Sequence, residues 1–67
     1  MKYKIIATVK QIEAENVGKE PNYAMFEELY KRIDISWAEL HRETDEMAKK
    51  DELIKGETVN SKYLKSK

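Results

Sequence analysis

The chain has 67 residues, no cysteine, and thirteen basic side chains against thirteen acidic ones. A domain of this size buries only about 60% of its unfolded surface, so one compact core spanning 1–67 must hold it without disulfides or thiolate metal sites. Zero net charge withholds a uniform attraction for polyanions, and no apolar run approaches the roughly 20 residues of a membrane span, so a cytoplasmic protein with no membrane partner is expected.

Ile5, Val9 and Ile12 recur at spacings of four and three, with Ile6 widening the stripe. This predicts an amphipathic helix over 3–16 that leaves Lys10, Glu13 and Glu15 in water. Ile5 to Val9 would also suit a strand, but the helix formers from Lys10 to Glu15 favour the helix. In VGKEPN, Gly18 can end that helix in the left-handed region and Pro21 cannot continue it. Asn22 is then the expected N-cap of a second helix over 22–33, with Phe26, Leu29 and Ile33 as its core stripe.

The stretch Ile33-Asp34-Ile35-Ser36 reads as a stop and a restart. Asp34 tolerates a left-handed corner, and Ser36 can cap a third helix over 36–50 with Glu39 completing a capping box. Trp37, Leu40, Thr44 and Met47 give that helix its inward stripe, Thr44 being the weak member. For Trp37, a half-buried place beneath the helix competes with an exposed anchor for a partner. Residues 52–65 read as a β-hairpin with its turn at Lys55-Gly56-Glu57 or nearer Asn60-Ser61.

Charge is unevenly spread along this last third. Glu39 to Glu52 holds six acids and three bases, whereas Lys55 to Lys67 holds four lysines and one glutamate. An acidic helix is followed by a basic tail. The helical spacing by itself predicts that Arg42 pairs with Glu39, Asp45 or Glu46 and that His41 lies at the surface. A lone histidine with no cysteines makes no metal site, and nothing pairs a nucleophile with a base or cradles a phosphate, so neither an enzyme nor a cofactor is expected.

The order of helix, helix, tight turn, helix and hairpin resembles the winged helix-turn-helix family of DNA-binding domains. ELYKRIDIS looks like that family's second helix and turn, through Leu29, Tyr30, Ile33, Asp34, Ile35 and Ser36. Leu40 and Met47 stand where its third helix buries apolar residues, Arg42 stands where an arginine is common, and KKDELIKGE resembles the helix end leading into the wing. The resemblance covers Ile5 to Leu64. Tyr30 stands where the family packs alanine, so either the helix spacing differs or the ring lies sideways with its hydroxyl wet. Asp34 and Asp51 stand at usual glycines, and Thr44 at a usually apolar place.

The resemblance implies a mostly α (α+β) fold, a three-helix winged helix-turn-helix with a C-terminal β-hairpin wing. It also implies a transcriptional regulator that binds double-stranded DNA, as a homodimer because one small module makes few phosphate contacts. The third helix would enter the major groove with Ser36, Ala38, Glu39, His41, Arg42 and Asp45, Arg42 bonding guanine and Glu39 accepting from cytosine. Lys55, Lys62 and Lys65, on or beside the basic wing, would meet the backbone. The competing expectation is a winged-helix protein–protein interaction module that uses its acidic third helix or Trp37 and binds no nucleic acid.

Overall fold

The computed structural model describes residues 2–19, 23–59 and 61–67. Three helices and a three-stranded antiparallel sheet run in the order α1 (Lys2–Glu15), β1 (Ala24–Met25), α2 (Phe26–Arg32), α3 (Trp37–Lys49), β2 (Leu53–Glu57) and β3 (Lys62–Ser66). The strand order is β1-β3-β2. This is a winged helix-turn-helix layout, with β2 and β3 as the wing.

The α1 stripe is buried as its spacing requires: Ile5, Val9 and Ile12 enter the core and Ile6 packs at its margin. Thr8 joins them because its hydroxyl donates to the Lys4 carbonyl at 2.7 Å, satisfying the group without water. Gly18 has φ of +84° just past the helix, the left-handed stop that its position predicts.

The second helix differs from the sequence expectation at its start. Ala24 and Met25 do not form its first turn; they pair with Leu64 and Tyr63 of β3, and α2 begins at Phe26. Tertiary pairing overrides the local preference, since β3 offers a ladder that only an extended segment can fill. The proposed cap Asn22 lies outside the described residues, as does Pro21, and the residue at the N-cap place is Met25, with no side-chain cap. Glu27 and Glu28 in the first turn, and Lys31 and Arg32 in the last, suit the helix dipole. The Arg32 guanidinium also clamps α2 to α1 through both carboxylate oxygens of Glu15, at 2.8 and 2.6 Å.

The corner between α2 and α3 needs correcting in one respect. Asp34 is not left-handed, because the only described non-glycine residue with positive φ is Asp51. Ile33 is extended instead (φ −119°, ψ 131°), and the Ile35 N–H donates to the Ile33 carbonyl at 3.1 Å, closing a three-residue turn. Ser36 caps α3 as expected, its Oγ accepting from the Glu39 N–H at 3.2 Å. The Glu39 carboxylate turns to Arg42 rather than back to the cap, so only one arm of the capping box is seen.

At the far end of α3 the Glu52 N–H bonds the Met47 carbonyl at 2.9 Å and the Asp51 N–H bonds that of Ala48 at 3.1 Å, a Schellman closure with Asp51 at φ 64°. A side chain there opposes the left-handed backbone, and an acid there opposes the dipole. Asp51→Gly is therefore expected to raise stability by about 1 kcal/mol in urea unfolding, the surface pair with Lys67 that it removes being worth less. A loss of stability would contradict this account of the cap.

The wing turn falls beyond the last pair Glu57↔Lys62, on the side of the later of the two expected places. Thr58 closes it by donating its N–H to the Ser61 carbonyl at 2.7 Å. Alternation puts Leu53, Lys55, Leu64 and Ser66 on the inner face of the sheet, with Ala24 beside Leu64. Tyr63 lies on the outer face over Gly56, where a Cβ would collide with its ring, and stacks on Tyr23 at 4.1 Å. Phe26, Leu29, Ile33, Leu40, Met47, Leu53 and Leu64 complete the core.

Candidate nucleic-acid interface

Helical period divides α3 cleanly. Leu40, Thr44 and Met47 are buried, so Ser36 at the cap, Ala38, Glu39, Arg42 and Asp45 are exposed on the opposite side. The small Ala38 leaves the N-terminal half of the helix open to a close approach. These five are brought together on one outward face, as the resemblance requires of a helix that enters a groove.

His41 is not free on that face. Its ring stacks on Phe26 at 4.1 Å and meets Trp37 edge-on at 5.3 Å, half-buried beneath the helix. Lys55 departs further from expectation. It belongs to the wing, but its alternation with Leu53 points it inward, and its side chain is only 8% exposed. The ammonium donates to Asp45 Oδ1 at 2.7 Å and Thr44 Oγ1 at 3.0 Å, and lies 3.2 Å from His41 Nδ1. All three of its N–H groups are thereby used, and Nζ also lies 5.2 Å from the Phe26 ring centroid. Lys55 is thus a strut between β2 and α3 and not a phosphate contact.

Thr44, the weak member of the stripe, is explained by the same strut. Its hydroxyl donates into the helix, with the Leu40 and His41 carbonyls at 2.9 and 3.1 Å, and accepts from Lys55. A valine there would fill the space but offer Lys55 no acceptor. The hydrogen bond from Lys55 holds the Asp45 carboxyl below its ordinary value, against a smaller opposing effect of burial. Burial, then the charges of Lys55 and Lys62, push the His41 imidazole below its ordinary 6.5, with Asp45 pulling the other way.

Lys62 stands on the wing beside Trp37 and His41, bordering an open cleft of about 370 Å³ whose other walls include Phe26, Glu27, Glu57 and Val59. Lys65 is exposed, but alternation places it with Tyr63 on the outer face of the sheet, so it does not join α3. The cations of this region are matched by acids. Arg42 pairs with Glu39 at 3.6 Å, Lys50 with Glu46 at 3.9 Å, Lys55 with Asp45, and Lys62 with Glu57 at 3.7 Å. Lys49, also exposed on α3, has no carboxylate within 4 Å among the described residues.

Tyr30 and Trp37 form an aromatic pair that sequence spacing does not signal. Their rings meet edge-on at 5.0 Å, and they are 38% and 43% exposed, so Tyr30 lies sideways rather than wedging the helices apart. Their seven-residue separation across a turn carries no periodic signal. Among the described residues no helix is long and apolar enough to cross a membrane. No protein-family model matches the chain, and neither do the curated proteins or solved structures with which it was compared.

Proposed function

We propose that this chain is a duplex-DNA-binding winged-helix module, in which α3 reads base edges and the wing supplies few phosphate contacts. The observation that carries this is the outward face of α3, where Ser36, Ala38, Glu39, Arg42 and Asp45 lie exposed while the opposite stripe fills the core. Arg42 is the candidate for a guanine, and Glu39, its ion-pair partner at 3.6 Å, for an adjacent cytosine. Lys62 and Lys49 are the candidates for phosphate. Because most cations here already face a carboxylate, affinity is low for one copy and depends only shallowly on salt. A second copy or a tether would be needed for regulation.

Selection from a randomised duplex pool at low salt tests the proposal. An enriched motif is expected, Arg42→Ala costing about 1–3 kcal/mol and relaxing preference at one base pair. Lys62→Ala is expected to weaken all duplexes alike and to reduce the salt slope by about one. Failure of any duplex to bind at low salt would overturn it. The paired charges, with Tyr30 and Trp37 half exposed, favour a second reading as a protein-interaction module. That reading requires loss of partner binding on Trp37→Ala with no duplex bound.

A further inference from the structure

We propose that His41 and Lys55 form a proton-operated latch between α3 and the wing, in which protonating His41 displaces the ammonium that ties β2 to the helix.

The geometry makes the two states exclusive. A lysine ammonium only donates, so His41 Nδ1, 3.2 Å from Nζ, must be the acceptor, and the neutral ring carries its hydrogen on Nε2. An incoming proton has one lone pair to take, the one on Nδ1 that Lys55 already occupies. Once Nδ1 is protonated, two donors and two positive charges face each other at hydrogen-bond distance. His41 lines the open cleft between α3 and the wing, so solvent supplies the proton.

The groups around the ring decide which way the balance lies. From β2 come Lys55 and Glu57, from β3 Lys62, from α2 Phe26 and Glu27, and from α3 itself Asp45 and Trp37. Glu57 is engaged by Lys62, and Glu27 accepts from the Ser61 hydroxyl, so neither is drawn to the imidazole. Lys55, Lys62 and burial oppose the imidazolium, while Asp45 alone among these groups favours it. Asp45 is four residues from His41 on the same helix, and its side chain is 59% exposed. It is the natural counter-ion for the charged ring once the lysine has swung out to water.

Lys55 touches three α3 side chains, so its departure removes the polar tie between helix and wing. The folded chain binds fewer protons at His41 than the unfolded chain does. The latch therefore contributes fully above the ordinary histidine value of 6.5 and is lost as pH falls from there through the depressed folded value.

An NMR titration of the full chain from about pH 8 to about pH 4, run with the fluorescence of Trp37, tests this. Trp37 is the only tryptophan, and its ring meets His41. The His41 midpoint is expected below 6.5, with the amides of 53–57 and the fluorescence moving at that same midpoint. In Lys55→Met the midpoint is expected to rise and the strand amides to stop following it. A wild-type midpoint at or above 6.5, a midpoint unchanged by Lys55→Met, or strand amides that ignore it would overturn the latch. Should Lys55→Met not fold, the ring nitrogen shifts of the wild type at neutral pH decide. Hydrogen on Nε2 with Nδ1 accepting supports the proposal, and hydrogen on Nδ1 overturns it.

Discussion

Phe26→Ala is expected to cost about 3–5 kcal/mol, enough to bring the chain to the edge of unfolding. A domain of this size holds only roughly 0.05–0.15 kcal/mol per residue, so its whole stability is comparable to that loss. Phe26 is 2% exposed and starts α2 directly after β1, which places its ring where the sheet, α2 and α3 converge. His41 stacks on it, Trp37 meets it edge-on at 4.7 Å, and the Lys55 ammonium lies against it. Truncation would leave a cavity and undermine the floor of the candidate interface together. Phe26→Leu keeps most of the volume and is expected to cost under about 1.5 kcal/mol. Urea unfolding followed by Trp37 fluorescence measures both, and equal losses for the two variants would contradict a packing role.

Lys55 supplies the second large effect, and here the choice of substitution separates charge from packing. Lys55→Ala removes the stem and leaves His41 Nδ1 and Thr44 Oγ1 facing a gap, at an expected cost of about 2–3 kcal/mol. That lies at the low end for a broken buried pair because Asp45 reaches water. Lys55→Met keeps the stem but removes the ammonium and strands the same acceptors, so it is expected to recover only the packing part of that loss and to cost about 1–2 kcal/mol. A methionine variant as unstable as the alanine variant would show that the stem adds nothing to the ammonium's tie, and one as stable as wild type would contradict that tie.

Much of the fold was legible because it rests on local pattern. The Ile5, Val9, Ile12 stripe, the left-handed Gly18, the Ser36 cap and the inward Leu40 and Met47 all follow from spacing and from residue chemistry within a turn or two. The strand β1 was not legible, since two residues carry no period and Ala24 and Met25 become extended only because β3 is there to pair with them. Asp34 looked like the corner because aspartate tolerates positive φ, yet Ile33 absorbs the change of direction while remaining extended.

The candidate site divides the same way. The exposed set on α3 follows from its helical period, and the pairing of Arg42 with Glu39 from their spacing. Lys55 required the hairpin register, which two turn positions left open. With the turn beyond Glu57, Lys55 shares a face with Leu53 and must turn inward, against buried Thr44 and the carboxylate of Asp45. The role of Thr44, a polar residue in an apolar stripe, becomes clear only with its partner Lys55, eleven residues further along the chain, folded back upon it.

Chemical-shift mapping on titration with duplex DNA, at low and then moderate salt, tests the central claim most directly. Binding through α3 and the wing predicts shifts confined to 36–45 and to the wing around Glu57 and Lys62, weakening as salt rises, with Tyr23 and Tyr63 on the outer sheet face unmoved. An absence of shifts at low salt, or shifts centred on that outer face, would contradict it.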